Sequence, residues 1–149
     1  MKTKIFTDTA TVVIFDPARL HHRRSDDGDW WSIEREELIE VNDGNALFLG
    51  VGSDGVYEIE VAGDFSPTAC RTVSACLKVE SGKLFIGAGE WTTGADLEPE
   101  ATHGNVIIDV PPGAYQVYAW MRTHSCVCLR LDPVAVFLRN DFHKSQKLA

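Results

Sequence analysis

The chain has 149 residues, enough for one domain whose folding buries about 70% of the unfolded chain's surface. Its 14 basic and 22 acidic residues give a net charge of −8, which disfavours nucleic acid or an anionic membrane as a direct ligand, because phosphate contacts need clustered Lys and Arg. No run approaches ~18 apolar residues, so no membrane-spanning helix is expected, and Met1-Lys2-Thr3-Lys4-Ile5-Phe6 does not lead into the apolar stretch of a secretory signal, so the expected location is the cytoplasm.

Residues 4–16 predict one or two strands. Ala10, Val12 and Ile14 alternate with Thr11, Val13 and Phe15, so both faces are largely apolar, as in a strand near the middle of a structure. Residues 16–29 read as a polar loop, basic at His21, His22, Arg23 and Arg24, then acidic at Asp26, Asp27 and Asp29. Adjacent histidines on a loop rarely aim at one ion, so a solvated loop is expected there, not a metal site. Residues 30–36 read as a short helical or irregular segment and 37–41 as a strand, closed by the Asn42-Asp43-Gly44 turn. Strands follow at Asn45–Val51, Val56–Ala62, Arg71–Val79 and Leu84–Ala88, with turns at Ser53-Asp54-Gly55 and Ser81-Gly82. Residues 89–104 form a long acidic loop without periodicity.

The stretch Gly104–Trp120 is the strongest local signal. Val106, Ile108 and Val110 share one parity; Tyr115, Val117, Ala119 and Met121 share another, opposite Gln116, Tyr118, Trp120 and Arg122. Pro111-Pro112-Gly113 supplies turn chemistry between them, predicting a hairpin. Strands at Val127–Leu131 and Val134–Leu138 complete the pattern, and the tail, about 139–149, is polar. Nine or ten short strands with at most one short helix predict a single-domain, all-β antiparallel sandwich of jelly-roll-like form.

Four cysteines are too few for a disulfide framework. Cys126 and Cys128 share a strand face with His124 and Arg130, and Cys70 and Cys76 also lie on the polar parity. Neither C-x-C on a strand nor C-x₅-C matches a zinc knuckle, so packed thiols are expected. Convergence of these thiols and His124 on a soft metal, or a redox pair, is the alternative. His124 and Cys126, at i and i+2, stand roughly 6.5–7 Å apart along the chain, too far for a nucleophile–base pair. Glu58 and Glu60 share an outward face and are read as solvent-facing. No Gly-rich phosphate loop, G-x-S-x-G or H-E-x-x-H pattern occurs. No catalytic constellation, cofactor or metal is therefore expected.

The run KVESGKLFIGAG, an acidic spacer, and NVIIDVPPGAYQVYAW, with Asp109, Pro111, Gly113 and Tyr115 as hairpin elements, resembles small bacterial β-sandwich proteins of the competence protein J family and toxin-immunity proteins. The resemblance covers roughly residues 70–138. It implies a non-enzymatic protein-binding domain, of the kind that inhibits a DNA-entry nuclease or neutralises a toxin. A basic protein is the partner that the acidic charge suits. The expected partner-contact residues are Trp91, Asp96 and Glu98 in and around the acidic loop, with Tyr118, Trp120 and Arg122 on the outward strand face. A small-ligand or carbohydrate-binding module using Trp91 and Trp120 is the alternative.

Overall fold

Alternation of apolar and polar side chains builds ten strands among the described residues, which are 1–27, 29–61, 71–92, 101 and 103–149 of a computed structural model. They are β1 (Lys2–Thr7), β2 (Thr11–Phe15), β3 (Ala46–Gly50), β4 (Gly55–Val61), β5 (Thr72–Val79), β6 (Lys83–Ala88), β7 (Val106–Asp109), β8 (Gly113–Thr123), β9 (Cys126–Val134) and β10 (Gln146–Lys147). One helix, α1 (Glu34–Asn42), and four short 3₁₀ turns accompany them. The strands form two five-stranded sheets, β1-β4-β9-β8-β5 and β10-β3-β2-β6-β7, packed as an all-β sandwich.

From β1 onward the chain changes sheet at every second connection. As a result both sheets are mixed: β4 runs parallel to β9, and β10 parallel to β3, whereas the other pairings are antiparallel. The sandwich is therefore not purely antiparallel as expected. The β4–β9 pair closes only after the chain has crossed to the second sheet and back, which is the long connection that parallel pairing requires.

β2 sits at the centre of the second sheet, and Val12, Val13, Ile14 and Phe15 are fully buried, as its two apolar faces predict. Phe15 packs on Phe85 with ring centroids 5.1 Å apart. The far side of the sheet is covered by Trp30 and Trp31, which meet Phe48 edge-on at 5.9 Å and stacked at 5.5 Å. The facing sheet contributes Tyr57, Ile59, Val73, Ala75, Leu77, Tyr115, Val117, Ala119, Val127 and Leu129 to the same core.

Three expectations about individual elements are corrected. Pro111–Gly113 does not close a hairpin: β7 pairs with β6 in one sheet and β8 with β5 and β9 in the other. The corner turns the chain from one layer to the next, and the Tyr115 hydroxyl donates to the Pro111 carbonyl at 2.5 Å to hold it. Residues 37–41 are helix, not strand. Glu34, Glu36 and Glu37 lie in the first turn of α1, where carboxylates suit the helix N-terminus. The helix stops at Asp43, and Gly44 follows with φ of 73°. Residues 134–138 are not a separate strand; β9 is one strand that runs through Pro133 to Val134.

The polar tail is docked. Gln146 and Lys147 add to β3, and Leu148 is buried. The Asn140 side chain donates to the Cys76 and Val41 carbonyls and accepts from the Cys76 N–H, covering the open edge of β5. The polar loop 16–29 is docked as well. Arg23 binds Glu40, Asp26 and Glu36 at 2.8–3.1 Å and lies over Trp30. The buried Glu40 carboxylate also meets His22 and accepts from Asn45, both at 2.9 Å. Burial would raise Glu40, but the bonds from Asn45, Arg23 and His22 outweigh it and hold the group below its ordinary value.

Candidate functional site

The outer face of the first sheet sets charged, thiol and aromatic side chains side by side. Strand parity sends Ile59, Val127, Leu129, Val117 and Ala119 inward, so Glu58 and Glu60 of β4, Cys126, Cys128 and Arg130 of β9, and Tyr118, Trp120 and Arg122 of β8 face outward. Register then makes neighbours of them. Glu58 lies opposite Cys126 and Glu60 opposite Cys128, Cys128 opposite Trp120, and Arg130 opposite Tyr118.

Arg122 is the hub of this face. Its Nη1 lies 2.7 Å from Glu60 Oε2, and its Nη2 lies 3.5 Å from Glu58 Oε1 and donates to Cys126 Sγ at 3.4 Å. The Cys126 thiol in turn donates to Glu58 Oε1 at 3.7 Å. The glutamates read as solvent-facing are thus half-buried and ion-paired. Arg130 pairs with Asp132 at 2.8 Å and lies over the Tyr118 ring at 5.6 Å. Burial, then the nearby Cys126, pushes the Cys128 thiol up to about 11.

Tyr118, Trp120 and Arg122 therefore come together as their shared parity predicts. Trp120, however, is 4% exposed and forms a small cluster with Cys126, Cys128 and Tyr118, so its expected exposure is corrected. Parity sets the face on which a side chain leaves a sheet; it does not set what covers that face. Trp91 belongs to a different part of the fold. It follows β6 at the end of the second sheet, is 37% exposed, and stacks on His103 at 4.9 Å. Asp96, Glu98 and Cys70 lie outside the described residues.

The cysteines and His124 do not all converge. His124 is exposed beside the β8–β9 turn. Cys76 is buried on β5, and β8 stands between it and β9. What does converge is Cys126, Cys128 and Glu60, whose ligand atoms all lie within 4.8 Å of one another.

Residues missed at the sequence level enlarge this face. Phe6 and Val56 are paired in register across β1 and β4 and are 55% and 59% exposed. The available signal is parity, since both are apolar on the side opposite Ile5 and Tyr57. A second concave site lies on the other side of the molecule. A groove of about 490 Å³ is lined by Trp31, Glu37, Phe48 and the tail residues Ser145–Lys147. Burial pushes the Glu37 carboxyl up to about 7, although the Ser145 hydroxyl donates to it at 2.7 Å. The buried Trp31 Nε1 has no hydrogen-bond partner among the described residues.

The match to a family model spans residues 1–145, almost the whole chain. The chain belongs to the family described as a family of unknown function (DUF6386). No curated protein sequence matches this DUF6386 chain. Among solved structures it is similar to ComJ from Bacillus subtilis, the inhibitor of the DNA-degrading activity of NucA. The TM-score is 0.55 at 14% identity, over 90% of this chain and 96% of that one. It is also similar to the crocagin biosynthetic gene J protein, with a TM-score of 0.54 at 15% identity, over 89% of this chain and 94% of that one. The resemblance to the competence protein J type thus holds at the level of the fold, and it extends well beyond residues 70–138.

Proposed function

We propose that this DUF6386 chain is a non-enzymatic, cytoplasmic binding protein of inhibitor type, whose partner is a basic protein such as a nuclease. One observation carries the reading: the fold is shared along nearly its full length with ComJ, whose described role is inhibition of a DNA-degrading activity. Charge supports it. A protein that acts on nucleic acid presents a basic surface, and a chain of net charge −8 complements that surface and accelerates encounter. The contact surface proposed is the outer face of the first sheet, with Tyr118 and Arg122 at its centre and Phe6 and Val56 as its apolar margin. Trp91 and the acidic residues Asp96 and Glu98 are proposed as a second contact region, while Trp120 supports Tyr118 from within the layer.

The test is co-purification from source cells followed by reconstitution with the purified partner. A stoichiometric complex that loses the partner's enzymatic activity is the expected result. A partner that stays fully active when saturated with this chain sinks the inhibitor reading.

A small-ligand reading is favoured by a different observation from the one expected. Burial of Trp120 breaks the proposed Trp91–Trp120 platform. The Trp31–Glu37 groove instead offers an aromatic wall, an indole N–H without a partner among the described residues and a carboxyl poised near neutrality. Tryptophan fluorescence titration with a metabolite panel, compared between wild type and Glu37→Gln, separates this reading from the first. Flat traces for both remove it.

A further inference from the structure

We propose that Cys126, Cys128 and Glu60 form a binding site for a thiophilic divalent cation, best matched by Zn²⁺, and that Arg122 is the counter-ion the metal displaces. The inference stands on side-chain geometry and does not depend on the inhibitor reading.

Three ligand atoms, two sulfurs and one carboxylate oxygen, lie within 4.8 Å of one another on adjacent strands. Tetrahedral zinc with Zn–S bonds of about 2.3 Å brings its sulfurs to about 3.8 Å, a difference that side-chain torsions can close. The fourth position falls to water or to Glu58, whose Oε1 is 3.7 Å from Cys126 Sγ. A pair of thiolates selects a soft or borderline ion over Mg²⁺ or Ca²⁺.

The surroundings argue against two simple thiols filling space. A packing cysteine is buried among apolar atoms. Cys126 packs beside Trp120 and Cys128 but also touches a carboxylate and a guanidinium. A disulfide is disfavoured as well, because i and i+2 on a strand place the Cα atoms roughly 6.8 Å apart, at the far limit of disulfide geometry. Arg122 already behaves as a cation in this position, in contact with Glu60, Glu58 and Cys126 at once. Its side chain is 50% exposed, so it can swing into solvent and stay nearby as a counter-charge. On binding, each thiol releases its proton to solvent as its sulfur–metal bond forms, and no electron is transferred.

The test uses the full chain, freshly reduced. Zn²⁺ affinity is measured by competition with a chromophoric chelator, and Co²⁺ is added separately to read the thiolate-to-cobalt charge-transfer band. One equivalent of metal and a clear band are expected. Cys126→Ser and Cys128→Ser should each remove most of the band, and Glu60→Gln should weaken affinity about tenfold. Arg122→Met should tighten binding several-fold, an effect that a merely structural arginine would not produce. No uptake by the wild type overturns the proposal. So does a band that survives in the Cys126→Ser/Cys128→Ser double variant, which would place the metal elsewhere. If the cysteine variants do not fold, Arg122→Met decides alone: unchanged or weaker binding overturns the site.

Discussion

Asp16 and Ser81, 65 residues apart in sequence, are joined twice: the Ser81 N–H donates to Asp16 Oδ2 at 2.7 Å and its hydroxyl to Asp16 Oδ1 at 2.6 Å. The Glu80 and Ala18 N–H groups donate to the same fully buried carboxylate at 2.6 and 2.9 Å. One side chain thus ties the end of β2 to the β5–β6 turn, where the chain passes from one sheet to the other. Burial alone would raise Asp16. The bonds from Ser81, Glu80 and Ala18 outweigh it and hold the group below its ordinary value. Asp16→Asn, which sets an NH₂ against N–H donors, should cost about 3 kcal/mol or more. Because the folded-state group is depressed, its stabilisation is present above the unfolded carboxylate range and lost as pH falls through the folded value. The gap between urea melts of wild type and variant should therefore begin to narrow below about pH 4 and close only at pH below the folded value. A gap that persists in acid would refute the charge-based account.

Glu37 has the opposite sign. Its carboxyl titrates at about 7 because it is buried in the groove beside Trp31 and Ser145. Between about pH 4.5 and 7 the unfolded chain loses this proton and the folded chain keeps it. Stability should thus fall across that window and level off above it. The loss should amount to about 3 kcal/mol. Glu37→Gln should flatten this segment of the stability–pH curve and leave the acid limb governed by Asp16 in place. An unchanged curve would show that the groove does not hold a protonated carboxyl.

What is legible in the sequence follows local physics. β2 is legible because Val12–Phe15 are apolar on both faces, and β8 because Tyr115–Arg122 alternate strictly. The helix α1 is misread because its buried side chains include Glu37 and Glu40, so no apolar stripe marks it, while Ile39 and Val41 mimic strand spacing. The Pro111–Gly113 corner shows the same limit. Turn chemistry is local, but the choice between a hairpin and a change of sheet depends on β6 and β5, which claim the two flanking strands. The Cys126–Cys128–Glu60 group is invisible to spacing rules for the same reason. It exists because β4 pairs in parallel with β9, bringing together residues more than sixty positions apart.

Gly104 carries a conformational demand on which β1 depends. Its φ is 84°, and a Cβ placed there would sit 1.6 Å from the Lys4 carbonyl oxygen. The Thr3 hydroxyl donates to the Gly104 carbonyl at 2.5 Å, so this residue lies flat on the edge strand. Gly104→Ala forces β1 away and should cost more than about 2 kcal/mol. Hydrogen exchange should show selective loss of protection in β1 and the β4 residues paired with it. Uniform loss across both sheets would mean that β1 does not open separately.

The outer face of the first sheet supplies the sharpest separation between folding and binding. Trp120 is buried against Cys126, Cys128 and Tyr118, so Trp120→Ala should leave a cavity and cost about 3–5 kcal/mol, lowering stability whether or not a partner is present. Val56 is exposed at the margin of the same face, and Arg122 extends into solvent. Val56→Lys should leave the melting temperature within a few degrees of wild type, yet weaken a stoichiometric complex with a basic partner tenfold or more by setting a like charge into its apolar margin. Arg122→Ala should reduce partner affinity through the lost contact while leaving Glu58 and Glu60 free to rehydrate. Calorimetric titration of the purified complex, run beside thermal melts of the free variants, reads both effects. Undiminished binding by both surface variants would move the interface off this face and toward the Trp91 end of the sandwich.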